Sequence, residues 1–231
     1  MITPRHIFLS TSVLLAGLAL LANTVAQDIA PRGLATALVA PASAAAAPDA
    51  SGFIQRWLLL EPIPCRGVVS QNGAQAIIKK EYFPNQLTVV PKDGEKVSVG
   101  DAEYIWHAAD TKNYNVNLYQ FGYILNKPTA NAIFWGVTVV NCPEEMPNVR
   151  LAIGSNAASV WWVNGEELVG IYGDRQTVID DGVSKRITLK KGANIIRVAV
   201  VNNGGATDFC ARFLDANDQP LRNFTVTLAK P

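Results

Sequence analysis

Two dipeptides, Asn164-Gly165 and Asp181-Gly182, constrain this chain more than any other feature. Each stands between runs of β-branched and apolar residues: the first between residues 159–163 and 167–172, the second between residues 177–179 and 184–189. A two-residue connection needs positive φ at both central positions. Asn and Asp tolerate this and Gly takes it freely, so both dipeptides predict type I′ hairpins. Two hairpins in one continuous stretch make a meander. Lys190-Lys191-Gly192-Ala193-Asn194 adds a third tight connection, leading into residues 195–201, the most apolar run of the body. That run lacks alternation, as a central strand covered on both faces would.

The same punctuation recurs along the body. Residues 53–60 form a run stopped by Pro62 and Pro64, and residues 132–141 form another stopped by Pro143. Residues 149–153, 208–214 and 224–228 continue the series. Residues 74–83 are the one stretch with a helical face, and Pro84 ends it. The βαβ alternative needs helical runs between strands, and these are missing. The pattern predicts an all-β protein, an antiparallel β-sandwich or jelly roll with at most one or two short helices.

The first fifty residues belong to another regime. Arg5 and His6 precede an uncharged apolar run over residues 7–22, and Thr24-Val25-Ala26 supplies a small-x-small site. This predicts a signal peptide over residues 1–26, cleaved after Ala26, with a second such site at Ala42-Ser43-Ala44. An uncleaved anchor is the rival reading, but the run falls short of a span of about 20 residues. Residues 27–51 are rich in Ala and Pro and read as a solvated tether, leaving residues 52–231 as the folded domain. The expected location is secreted or periplasmic, without membrane attachment after signal removal. With 20 Lys and Arg against 19 Asp and Glu, the chain offers no field for nucleic acid or anionic lipid.

Hydrolytic chemistry is poorly represented. Beyond the signal, His107 is the only histidine, and no Gly-x-Ser-x-Gly nucleophile elbow occurs, although Gly154-Ser155-Asn156 resembles half of one. A catalytic zinc needs a cluster of His, Cys or Glu at short spacing, and none is present. The carboxylate pairs Glu144-Glu145, Glu166-Glu167 and Asp180-Asp181 lie in or beside turns, where solvated carboxylates are ordinary. The body reads as non-catalytic, with no cofactor. Cys65, Cys142 and Cys210 make an odd count for an oxidising compartment, so either one bridge and a free thiol or three reduced thiols is expected.

Val160-Trp161-Trp162-Val163-Asn164-Gly165 resembles the Trp-x-Asn-Gly hairpin of bacterial galactose-binding-like jelly-roll modules. Leu189-Lys190-Lys191-Gly192-Ala193-Asn194-Ile195-Ile196 resembles the strand entry that follows it there. Phe53-Ile54-Gln55-Arg56-Trp57 resembles their first strand, and Asp208-Phe209-Cys210-Ala211-Arg212-Phe213 their penultimate one. More narrowly, residues 53–64 and 154–181 resemble the accessory module of secreted bacterial acetylxylan esterases, here expected without an attached esterase domain. The resemblance implies a polysaccharide partner such as xylan, and work beside a separate esterase or glycoside hydrolase.

Sugar sites set aromatic faces against pyranose C–H patches and flank them with planar hydrogen-bonding groups. Adjacent strand residues point to opposite faces, so one of Trp161 and Trp162 is core. The hairpin pattern assigns Trp161 and Val163 to the core and Trp162 to an outer sugar platform. Tyr172, Asp174 and Arg175 at the far end of that hairpin are further candidate contacts. Tyr104, Trp106 and His107 form a second candidate patch, while Trp57 and Trp135 are expected in the core. Asp174, Asp180, Asp181 and Asp208 are hard oxygen donors of the kind a structural calcium ion takes. The alternatives are a sandwich that binds a protein partner and, third, a small esterase built on Ser155 and His107.

Overall fold

A computed structural model describes residues 38–65, 71–173 and 175–229. The expected signal peptide and Asp174 lie outside the described residues. The chain runs β1 (Leu38–Val39), β2 (Arg56–Leu60), β3 (Ile63–Pro64), α1 (Gln71–Lys79), β4 (Lys96–Val99), β5 (Ala102–Thr111), β6 (Val116–Asn117) and α2 (Leu118–Ile124). It continues through β7 (Ala132–Cys142), β8 (Met146–Asn156), β9 (Ala158–Val163), β10 (Glu166–Ile171), β11 (Gly182–Val183) and β12 (Ile187–Leu189). The last strands are β13 (Gly192–Asn202), β14 (Asp208–Leu214) and β15 (Thr225–Thr227). All ladders between them are antiparallel, and the two helices are short, so the all-β sandwich is the fold that forms.

The larger sheet has ten strands in the order β1-β5-β2-β7-β13-β9-β10, with β3 and β15 also on β7 and β4 on β5. Its spine is the β7–β13 pair, in register from Gly192↔Cys142 to Asn202↔Ala132. The other edge of β7 is shared by three short strands, β3 near Ile133, β2 near Val137 and β15 near Val140. The smaller sheet has five strands, β11-β8-β14-β6 with β12 also on β8. Between the sheets Trp57, Trp161 and Phe209 meet edge to face, with centroids 5.0–6.0 Å apart. Their indole N–H groups donate to the Ile54 carbonyl and the Ser159 hydroxyl.

The central-strand reading holds, because β13 packs Ile196, Val198 and Val200 inward and Ala199 and Val201 outward. Asn164 and Gly165 take φ of 52° and 85°, the type I′ signs. The neighbouring Lys-Lys-Gly-Ala-Asn turn is tied to it. Asn164 Nδ2 donates to Asn194 Oδ1 (3.0 Å), and Asn164 Oδ1 accepts from the Ile195 amide (2.9 Å).

Two expectations need correction, and of the two cysteine alternatives the three-thiol one forms. Asp181-Gly182 is not the centre of a hairpin: the positive φ falls on Asp180, residues 177–179 form no strand, and Gly182 belongs to β11. A Cβ on Gly182 would stand 2.8 Å from Ile153 Cδ1, so close packing rather than turn geometry places the glycine there. The stretch read as a tether is bound to the sandwich from Leu38 onward. Leu38 and Val39 pair with β5, Ala46 bridges Val226, and the Ser43 carbonyl accepts from buried Arg56 (2.8 Å). Arg56 is itself gripped at both ends of Asp110, each bond 2.8 Å. Finally, no disulfide forms. Cys65 and Cys142 flank opposite ends of β7 and Cys210 lies in the other sheet, so all three thiols are free. Sequence reading also missed α2, where the Asn117 side chain caps the helix by accepting from the Gln120 amide (2.7 Å).

Candidate functional site

The expected aromatic platform is not on the surface. Trp162 is 5% exposed and stacks on Trp135 at 5.8 Å and 21°. Trp106 is 1% exposed and meets Phe83 edge-on. Alternation sends both to the outer face of the ten-stranded sheet, as the sequence implies. That face is closed by Ala74 and Ile78 of α1 and by Phe83, so it is a second core. Tyr104 and Tyr172 are half-buried against the same cluster. Burial raises the Tyr172 phenol, with Glu167 adding and a hydrogen bond to Gln75 opposing. Trp57 and Trp135 are fully buried, as expected.

His107 faces the other way, beside α2. Its Nε2 lies 3.6 Å from Oε1 of buried Glu61, whose Oε2 is 3.1 Å from Lys127 Nζ, and its ring meets Phe121 edge-on. Ser155 is buried on β8 in the other sheet, where its hydroxyl donates to the Ala157 carbonyl (2.8 Å). The serine and histidine of the small-esterase reading thus stand on strands of different sheets, each with its own partners.

Arg175 is the described candidate that stays on an open polar face, the outer face of the five-stranded sheet. Asp208, Cys210 and Arg212 of β14 and Ala152 and Gly154 of β8 form its floor. The loop of residues 175–181 lies directly on that floor: a Cβ on Gly154 would reach 2.2 Å from the Val178 carbonyl oxygen and 3.0 Å from Cys210 Sγ. Glycine is required there by the closeness of the backbone.

Around this floor every described carboxylate is engaged. Arg175 Nη1 donates to Asp181 Oδ2 (2.5 Å). Arg212 donates to both oxygens of Asp180 and to the Ser51 carbonyl, and its guanidinium covers the Phe53 ring at 4.9 Å. The bond to Asp180 holds Arg212 above its usual range against the opposing effect of burial. Asp208 accepts from Asn115 Nδ2 (2.5 Å) and from the Thr177 hydroxyl. Beside them stands Tyr114, 40% exposed, with its ring 5.5 Å from Phe53. Burial, then Cys210 and Asp208, raise the Tyr114 phenol. Under the shelf, burial first and then Asp180 and Asp208 push the Cys210 thiol up to about 12, so it is protonated and inert at neutral pH. Asp180, Asp181 and Asp208 thus each serve a partner in the protein, and among the described residues no group of three His, Cys, Asp or Glu is placed to hold a metal ion.

Sequence reading missed Tyr114, Asn115, Thr177 and Arg212 in this shelf. A usable signal existed: Lys112-Asn113-Tyr114-Asn115 sets an aromatic among planar amides in a turn. Nothing local, however, joins Asn115 to Asp208, 93 positions away.

No family model and no curated protein matches the chain. Among solved structures, the chain is similar to the PA14 sugar-binding domain of an RTX adhesin, 10% identical with TM-score 0.40, over 74% of this chain and 96% of that one. It is similar to the PA14 domain of the MpAFP antifreeze protein, 10% identical with TM-score 0.43, over 79% and 94%. A β-glucosidase of Kluyveromyces marxianus, 22% identical with TM-score 0.38, matches over 52% of this chain, which spans 15% of the enzyme's length. Among the described residues no helix is long and apolar enough to cross a membrane.

Proposed function

We propose that this chain is a secreted or periplasmic carbohydrate-binding module without catalytic activity of its own. We further propose that it serves plant cell-wall polysaccharide degradation, with xylan as the first candidate glycan and a separate esterase or glycoside hydrolase as its companion. One observation carries the reading: the exposed Tyr114 ring beside the Asn115–Asp208–Thr177 network and the Arg175–Asp181 pair. A ring face for sugar C–H groups next to planar donors and acceptors is the chemistry that pyranose binding needs. The companion enzyme rests on the resemblance of the hairpin and strand-entry motifs. A second reading, a protein-interaction module, is favoured by α2, where Tyr119, Tyr123 and Ile124 are 38%, 48% and 49% exposed.

The test is a pull-down of the purified protein on insoluble xylan, cellulose and mannan, with Tyr114→Ala alongside and circular dichroism to verify its fold. Retention on one glycan that Tyr114→Ala abolishes is the expected result. Absence of retention on all three overturns it in favour of the interaction module.

A further inference from the structure

The outer face of the ten-stranded sheet holds a group that its surroundings leave unmatched. Arg197 stands on β13 between Val137 of β7 and Trp162 of β9. It is 1% exposed, at the level of Trp135 and Trp162 in an otherwise apolar cluster. Its Nη2 donates to the Val89 carbonyl, while Nε and Nη1 have no partner among the described residues. No carboxylate forms an ion pair with it among the described residues. Arg56, the other deeply buried arginine at 2% exposure, is the internal control, because Asp110 and Ser43 take up its donors. Burying an unpaired cation is costly, and burial pulls the Arg197 guanidinium down to about 10.

Along the same face lies a cleft of about 390 Å³. Ala193 and Ile195 of β13 form its floor, Leu87 and Thr88 one wall, and the Asn164-Gly165 turn another. Lys190 stands exposed at its mouth, and no acidic residue lines it. Residues two apart on a strand share a face at a spacing of about 7 Å, so Arg197 is the next side chain inward from Ile195. Val89, its hydrogen-bond partner, directly follows Thr88 in the wall.

We infer that this cleft is a binding site for an oxyanion, a carboxylate or phosphoryl group on a small molecule, with Arg197 as its inner anchor and Lys190 as its outer one. The anion accepts the open N–H groups of Arg197, which gives the buried cation the counter-charge that the protein withholds. Entry requires residues 87–89 to shift outward, since they cover the guanidinium. Those residues belong to no strand; apart from the Arg197 bond they are held by the Thr88 and Val89 amides and the Thr88 hydroxyl on the Asn85 carbonyl, and by Leu87 and Val89 packing against the outer cluster. The site lies on the opposite face of the sandwich from Tyr114, so it stands or falls independently of the glycan reading.

The test is calorimetric titration of the purified protein with glucuronate and with inorganic phosphate, against glucose and sodium chloride at matched ionic strength. Saturable binding of either anion, absent with glucose and chloride, is expected, and the arm that responds identifies the carboxylate or phosphoryl source. Arg197→Met should abolish the binding, and Lys190→Glu, at an exposed position, should weaken it about tenfold. If Arg197→Met does not fold, Ala193→Phe, which fills the cleft, takes its place. Binding that survives Lys190→Glu together with Arg197→Met or Ala193→Phe overturns the inference, as does the absence of a saturable response to both anions.

Discussion

On its inner face the ten-stranded sheet meets a second sheet, and on its outer face it meets a nine-residue helix and the connection that follows it. The inner side buries two tryptophans of the larger sheet, Trp57 and Trp161, and the outer side three, Trp106, Trp135 and Trp162, none more than 5% exposed. The two sides differ in how polar atoms are treated. The inward indoles both have acceptors, whereas Trp135 Nε1 has none and Arg197 keeps open donors beside it. Two sheets approach with their ladders already satisfied. A short helix and an irregular segment bring apolar side chains to the sheet without acceptors for what lies beneath. The inner layer leaves the neutral Thr138 hydroxyl unmatched, whereas the outer one leaves an indole and a guanidinium, and the Arg197 site follows from that difference in charge.

The comparison breaks most directly through the paired tryptophans. Trp161→Ala should cost about 4 kcal/mol in chemical denaturation, because sheet-on-sheet packing cannot collapse onto the void. Trp162→Ala should cost less, about 2–3 kcal/mol, since α1 and Phe83 can settle into the space. A larger loss at Trp162 would mean that the outer cover is as rigid as the inner core. Next in size, Gly154→Ala forces residues 175–181 off the floor of the smaller sheet and should cost about 1–3 kcal/mol. It should also weaken glycan retention, since Arg175 and Thr177 move with the loop.

The thiols sharpen the contrast at smaller scale. Burial pushes Cys142 up to about 11 in the inner core and Cys210 to about 12, against the usual 9.0, while half-buried Cys65 at the rim of the outer cluster is raised less far. Iodoacetamide at pH 8 should therefore label Cys65 first, with Cys142 and Cys210 reacting only on unfolding. Mass spectrometry reads the order, and early labelling of Cys142 would contradict a tight inner core. The sign of the pH effect follows. A raised thiol pKa means that the folded state holds its proton more tightly, so this contribution is complete below pH 9 and is lost as pH climbs towards 11–12. Alkaline titration of stability should show that decline. Smallest of all, Tyr114→Ala should change stability by about 1 kcal/mol or less, because the residue sits at the surface, 40% exposed.

Much of the architecture was legible because it is local. Asn164-Gly165 states its turn through φ alone, and the unbroken apolar run of β13 states burial on both faces. Asp181-Gly182 looks the same in sequence and is not a hairpin turn, because Gly182 answers to Ile153 across the sheet rather than to its neighbour. Residues 38–51 read as linker from composition, yet Arg56 and Asp110 lie ready to hold Ser43, and no composition records a partner. The Tyr114 shelf joins segments about ninety residues apart, so none of them carries the pattern alone.

The amino-acid sequence by itself determined that Trp161 and Trp162 point in opposite directions, that β13 is central and that the chain forms antiparallel strands. These follow from backbone sterics, which act over one or two residues. Only the tertiary structure decided which faces meet water. It covered Trp162 with α1 and Phe83 and left Tyr114 open above Asp208. It also set Arg197 in an apolar layer without a carboxylate. Exposure depends on what packs against a residue from elsewhere in the chain, and the period-two pattern of a strand is the same whether its second face meets solvent or a helix.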